Sequence, residues 1–387
     1  MDADALRTLE LIDRSGRRYP LDDPRWRGDD GSPLMLSPIR LDTAAGTAVR
    51  ALIDTAERSL WRYAAMLPVP AEHRISLGEG WTPLIADRRA GRGIHVKLEW
   101  FNPTSSFKDR GVAVMMSHLA SRGATRVLED SSGNGGSSVA AYAAGAGIAA
   151  KIIVPAATSP AKILQARAYG AEIELVGGTR DEVGDEAVRQ SAAIPYASHN
   201  WHPLFLQGVK TIGYEIWEQL GFRAPDNIVT VAGSGSIVLG CDLAFGELRD
   251  AGAIYTVPRL LVGQPVDWAT IVEAVNGVVR DPDRPRVPTI AEGSSIARPV
   301  RLPEVVAAIE RSHGAAVAVT DDEIHAALRG LAARGLYAEP TSAVAAAALA
   351  RFLADGTIRD GQTTVVILTG TALKAADRTA EVFAAAG

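Results

Sequence analysis

The segment "NPTSSFKDRG", residues 102–111, places Lys108 after a turn of small hydroxyl residues and at the apparent start of a helix. Four residues before Lys108, where an acidic helix partner would stand, is Thr104, and the adjacent Asp109 faces elsewhere. A lone lysine is ordinarily a solvated surface charge. One that follows Phe107 in a turn of small side chains fits a partly buried amine instead. Burial disfavours an ammonium and makes the neutral amine available for Schiff-base chemistry.

Working outward, "HVKLEW" alternates like a strand and leads into this segment. After it come "RVLED" as a strand, "GGSSVAAYAAGAG" as a helix, "AKIIVPA" as a strand, "PAKILQARAYG" as a helix and "EIELVG" as a strand. A second series follows with "QGVKTIGYEIWEQLG", "NIVTVAG", "SIVLGCDLAFGELRDAG", "RLLVGQP", "DDEIHAALRGLAARG", "AVAAAALARFLADG" and "TTVVILTG". Strands alternating with helices imply α/β architecture, with mostly parallel sheets covered on both faces. The two series predict two such domains. "TAVRALIDTAERSLWRYAAML" has helical spacing and predicts a helix ahead of them. Residues 1–40 are rich in turn residues and read as a small appendage.

Two glycine turns each follow a strand and open a helix. In "NIVTVAGSGSIVLG", Gly233 and Gly235 permit a tight bend, Ser234 and Ser236 add hydroxyls, and the helix start adds N–H donors and its positive dipole end. A ligand phosphate suits this cradle. A dinucleotide fingerprint lacks its third glycine, because position 238 is Val, and a Walker loop lacks its Gly-Lys pair. A plain tight turn is the alternative. In "DSSGNGGSS", Ser131, Ser132 and Asn134 stand beside exposed N–H groups, which suits a carboxylate. The alternative there is an ordinary capped helix entry.

The net charge of -5, with mixed signs and no basic block, argues against a nucleic-acid partner. No apolar run has the length of a membrane span, and the N-terminus lacks the basic-then-apolar pattern of a signal peptide, so the expectation is cytoplasmic. The single cysteine, Cys241, excludes an internal disulfide framework and reads as an inert buried thiol. His199 and His202 lie close in "SHNWHP", but no carboxylate or cysteine joins them in the sequence, and a core or rim role is expected. No Gly-x-Ser-x-Gly elbow supports an esterase.

A lysine, a Ser-Gly-Asn turn and a glycine phosphate cradle thus occur in order. In that order and spacing the chain resembles the fold type II pyridoxal-phosphate enzymes, and within them the threonine synthase group. "NPTSSFKDRG", "QGVKTIGYEIWEQLG", "TIAEG", "YAEPTSA" and "LTGTALK" are similar to stretches of these enzymes, and the resemblance covers roughly residues 75–375. It implies that pyridoxal phosphate is held covalently by Lys108, its ring hydroxyl oxygen by Asn134 and its phosphate by Gly233, Ser234, Gly235 and Ser236. It places Thr369 at the pyridine nitrogen, and Ser131 and Ser132 at the substrate carboxylate. It also implies a larger cofactor-binding domain of residues 41–104 and 205–387, a smaller domain of residues 105–204 carrying Lys108, and a homodimer. The implied reaction is elimination or replacement at the β or γ carbon of an amino acid, with O-phosphohomoserine and water giving threonine and phosphate, and a place in amino-acid biosynthesis.

The chain departs from that pattern in three places. The N-terminal piece resembles a zinc ribbon, but Ile12, Ser15, Gly28 and Asp30 stand where its four cysteines would be, so no metal is expected. The Ser-Gly-Asn turn continues with Gly135 and Gly136, where threonine synthases usually have Thr or Ser. "LTGTALK" carries Thr371 where many relatives have histidine. Gly135 and Thr371 are therefore candidate substrate-selecting positions. Arg110 and Lys210 are candidates for holding an anionic leaving group, with structural ion pairing as their alternative. Other readings are a cysteine or cysteate synthase, another β-replacement enzyme of specialised metabolism, or a threonine or serine dehydratase, against which the absence of histidine after the Ser-Gly-Asn turn counts. A catalytically inactive regulatory protein that kept the fold is the non-enzyme reading.

Overall fold

The computed structural model describes residues 6–41, 48–178, 180–281, 283 and 285–384. The chain divides into two compact units, one of residues 1–81 and 102–211 and the other of residues 82–101 and 212–387.

The first unit begins with an antiparallel sheet of β1 (Glu10–Ile12), β2 (Arg18–Pro20) and β3 (Met35–Leu36), ordered β2-β1-β3. The four positions matching ribbon cysteines lie in and around it. Asp13 accepts bonds from Tyr19 Oη (2.6 Å), Ser15 Oγ (2.7 Å) and Arg17 N (2.9 Å), while Asp30 accepts from Ser15 N and from Ser32. The Tyr19 bond comes first among the causes that hold the Asp13 carboxyl below its ordinary range. A side chain at Gly28 would stand 2.4 Å from Asp13 Cβ, which leaves no room for a ligand there. Carboxylate hydrogen bonds thus knit these turns, and among the described residues no group of three or more His, Cys, Asp or Glu could hold a metal. Trp26 anchors the sheet by edge contacts to Tyr196 and Trp201, each with centroids 5.1 Å apart.

The helix expected over residues 47–67 is broken. A short turn of helix at Ala48–Ala51 is followed by a separate 3-10 segment at Leu60–Met66. Asp54 and Ser59 account for the break, because their side chains accept from Ala56 N and Trp61 N and so compete with the helical ladder. Residues 48–81, placed with the second unit by the sequence reading, group with the first. Their ties there include Ile75 N to Ser117 Oγ (2.9 Å) and Gly80 N to Asn102 Oδ1 (2.8 Å).

The second unit's sheet has six strands. It starts with β4 (Leu84–Ala86) and β5 (Ile94–Leu98), which run antiparallel. The first unit resumes with α1 (Lys108–Ser121), β6 (Arg126–Glu129), α2 (Asn134–Gly145), β7 (Ala149–Pro155) and β8 (Glu172–Val176). Strands β6, β7 and β8 form a parallel sheet in that order. Helix α3 (Pro203–Val209) packs on α1, and the two backbones approach closely. A side chain at Gly208 would fall 1.9 Å from Arg110 O, and one at Gly111 would strike the Phe205 ring at 2.4 Å. The helix expected over residues 207–221 is therefore two, α3 and Thr211–Gln219, divided at Lys210.

The second unit continues with β9 (Asn227–Val231), α4 (Ser236–Asp250), β10 (Arg259–Pro265), β11 (Ala315–Val319), α5 (Asp321–Ala332), α6 (Pro340–Ala354) and β12 (Thr364–Leu368). Its strand order is β11-β10-β9-β12-β5-β4, parallel except at β4. Strands β4 and β11 were not foreseen, and β4 is only three residues long, with two of them exposed. The central strands β9 and β12 are buried at every position, as their unbroken apolar runs require.

Candidate active site

Lys108 opens α1, and the turn before it is held by the next residue in the chain. Asp109, fully buried, accepts from Thr104 N and Thr104 Oγ1 (both 2.6 Å), which closes the turn, and from Ser138 Oγ (2.6 Å) on α2. One carboxylate therefore fixes the lysine turn against the helix that carries Asn134, and sequence reading had dismissed it. The Lys108 amine lies 4.9 Å from the centroid of Phe107 and 5.6 Å from that of Phe205. Aromatic faces attract a cation through the ring quadrupole. In the second unit Lys97 is fully buried and donates to Glu215 Oε2 (2.7 Å), Thr82 O (2.7 Å) and Gln219 Oε1 (2.8 Å), which engages all three protons of an ammonium.

The turn at residues 131–136 leads into α2 with Gly133 at its cap and no side-chain cap bond. First-turn N–H groups without a capping side chain form an anion site. Ser131 Oγ accepts from Gly133 N at 3.4 Å, and Ser132 and Asn134 are half-buried. Both following glycines are required by contact. A Cβ on Gly136 would sit 2.0 Å from Ser131 O, and one on Gly135 would sit 2.6 Å from His199 Nδ1.

His199 is the residue that the sequence reading assigned only a core or rim role. A carboxylate distant in sequence joins it: Glu129, at the end of β6, accepts from His199 N (3.1 Å) and lies 3.2 Å from Nδ1. Burial, with the charge of Lys108, holds the imidazole well below its ordinary pKa. Burial raises Glu129, while the His199 and Asp130 N–H groups and Arg180 oppose that rise. Asp130 is held separately by Tyr196 Oη (2.7 Å) and Arg180 (2.6 Å).

In the second unit, Gly233–Ser236 joins β9 to α4. Gly235 has φ +85°, and a Cβ there would lie 2.3 Å from Val305 Cγ2. A Cβ on Gly233 would press on Gly293 O at 3.1 Å. The α4 N-terminus also lacks a side-chain cap bond. A left-handed glycine leading into an uncapped helix is a cradle for a phosphate, and Ser234 and Ser236 flank it. The donor set fits the phosphate of pyridoxal phosphate.

Thr369 follows β12, nearly buried. Its hydroxyl lies 2.9 Å from Ser342 Oγ and 3.2 Å from Glu339 Oε1. Thr371 bonds Tyr337 O (3.2 Å) and caps the short helix that follows. Arg110 and Lys210 are fully buried, and Arg110 Nη1 bonds Thr211 Oγ1 at 3.1 Å. Cys241 is a free buried thiol whose pKa burial raises.

The family described as pyridoxal-phosphate dependent enzyme matches residues 75–370, and the chain belongs to it. Its cofactor is pyridoxal phosphate. The chain is 34% identical to a threonine synthase of Methanosarcina acetivorans over 82% of this chain and 80% of that protein. It is 36% identical to one of Methanocaldococcus jannaschii over 83% and 82%. Among solved structures, the processed form of threonine deaminase isoform 2 from Solanum lycopersicum matches with TM-score 0.67 and 26% identity, covering 79% of this chain and 84% of that one. These neighbours share the α/β fold expected for fold type II enzymes.

Proposed function

We propose that the protein is a lyase of threonine synthase type, converting O-phosphohomoserine and water to threonine and phosphate, and acting as a cytoplasmic homodimer. The observation that carries this reading is the match to curated threonine synthases over about four-fifths of both chains, on a chain that keeps the lysine, asparagine and phosphate-turn residues.

Lys108 would hold the cofactor covalently, Asn134 would bond its ring oxygen, Gly233–Ser236 would bind its phosphate and Thr369 would meet the ring nitrogen. When bound, pyridoxal phosphate supplies the electron sink that stabilises a carbanion at the substrate's α carbon. The Lys108 amine would move the proton at the substrate's α carbon. Ser131, Ser132 and the uncapped start of α2 take the substrate carboxylate. Thr369, whose hydroxyl donates to Glu339 Oε1 and lies beside Ser342 Oγ, would have to turn that hydroxyl to meet the ring nitrogen.

A β-replacement on an unphosphorylated amino acid is the second reading. It is favoured by Gly135 at the turn and by the burial of Arg110 and Lys210, the two cations considered for a phosphate leaving group. Incubation with O-phosphohomoserine, assayed for phosphate and threonine, tests the first reading. O-acetylserine, serine and threonine run in parallel test the second. Threonine formation with equal phosphate release is expected. Turnover of another donor without threonine would replace the first reading by the second. Light scattering reads the dimer.

A further inference from the structure

Gly135 and His199 exclude each other's alternatives. Any side chain at residue 135 would overlap the imidazole, at 2.6 Å from Nδ1 and 2.8 Å from Cε1. The ring therefore occupies the space beside the Asn134–Gly135 turn that a residue 135 side chain would fill. It stands in the same neighbourhood as the lysine amine. The Phe205 ring has the Lys108 amine 5.6 Å from its centroid and the His199 ring centroid 5.9 Å away.

The orientation of the imidazole is set from behind. Glu129 accepts from His199 N and Asp130 N on its two oxygens and stands 3.2 Å from Nδ1, and we take the tautomer in which Nδ1 donates to it. Nε2 is then left with a lone pair, and it makes no hydrogen bond with any described residue. The side chain is 10% exposed, so it is not sealed in the core. A polar atom of this kind, held rigid and unmatched within the protein, is the arrangement by which a site recognises a donor on its ligand.

We propose that His199 is a specificity-determining residue, whose Nε2 accepts a hydrogen bond from the hydroxyl that is added to, or lost from, the amino-acid substrate beside the Asn134–Gly135 turn. This rests on the reading of the site as a pyridoxal-phosphate lyase for amino acids. The ligand class is a β-hydroxy amino acid, and a ligand lacking that hydroxyl leaves Nε2 desolvated and unpaired.

The test titrates the holoenzyme with L-threonine and L-2-aminobutyrate, which differ only in the hydroxyl, and follows the visible spectrum of the bound cofactor. The wild type is expected to bind threonine about tenfold more tightly, the worth of one such bond. In His199→Ala the two ligands become equal. His199→Asn, which keeps a donor near the Nδ1 position for Glu129, also loses the preference, whereas His199→Gln, with a polar group near the Nε2 position, keeps part of it. An unchanged preference in His199→Ala overturns the inference, and so does a full preference in His199→Asn, because the hydroxyl is then recognised without Nε2. If His199→Ala does not fold, the Asn and Gln variants decide. A wild type that binds cofactor but ignores the hydroxyl overturns this inference alone. A wild type that takes up no cofactor overturns the function on which it rests.

Discussion

The two glycine turns look alike in sequence and differ in what makes them glycine. At residues 233–236 the requirement is written into the backbone: Gly235 is left-handed and faces the apolar Val305. At residues 133–136 Gly136 is required by the turn's own Ser131 carbonyl, but Gly135 by a partner brought in by the fold, the His199 ring. A turn specified by its own backbone is suited to an invariant group such as a phosphate. A turn specified by a side chain from elsewhere in its unit can be retuned by changing that side chain, as substrate selection requires.

Substitutions separate these roles, and Lys108→Ala should show the largest effect. Turnover falls by about a thousandfold or more, as expected when the acid/base group and the covalent anchor go together, while the urea midpoint scarcely moves. Steady-state assay and denaturation read the two. Gly235→Ala comes next, losing about 3 kcal/mol through backbone strain and overlap with Val305. Trimming Val305 to Ala restores only part, because the φ strain stays.

Glu79 tests the support behind the other turn. It is buried with its carboxyl raised to about 7 by desolvation, and it accepts from Tyr142 Oη on α2 and from Leu77 N, while Oε1 is buried without a partner. Between its ordinary 4.5 and about 7 the folded state holds the extra proton, so this group's contribution to stability falls as pH rises through that window. Glu79→Gln removes the loss. Its stability relative to wild type should climb with pH, by on the order of 3 kcal/mol in all, in urea titrations across that range.

Gly135→Ala should cost about 2 kcal/mol by overlap with the imidazole. It should be relieved for the most part in a His199→Ala background, where only the Ser131 Oγ contact at 3.0 Å stays, a coupling that a double-mutant cycle measures. Thr369→Ala should be mildest, about 1 kcal/mol in kcat/KM and a shifted cofactor spectrum, from loss of one hydroxyl contact.

The contrast also explains what the sequence disclosed. Alternating strands and helices, the tight glycine turn at Gly233–Gly235 and the lysine turn are local patterns, and they were legible. His199 was not, because its meaning comes from Glu129, 70 residues away in the chain, and from Gly135. The burial of Arg110 and Lys210 was not legible, because a close helix crossing leaves no local mark. The break at residues 52–59 could have been anticipated, since Asp54 and Ser59 are residues that compete for backbone N–H groups.

The central claim is that Lys108 carries the cofactor. Borohydride reduction of the purified protein loaded with pyridoxal phosphate, followed by peptide mapping by mass spectrometry, tests it most directly. The account predicts one stable adduct, on the peptide containing Lys108, with loss of the visible band. A colourless protein that refuses added cofactor, or an adduct on Lys97, Lys210 or another lysine with Lys108 unmodified, would contradict it.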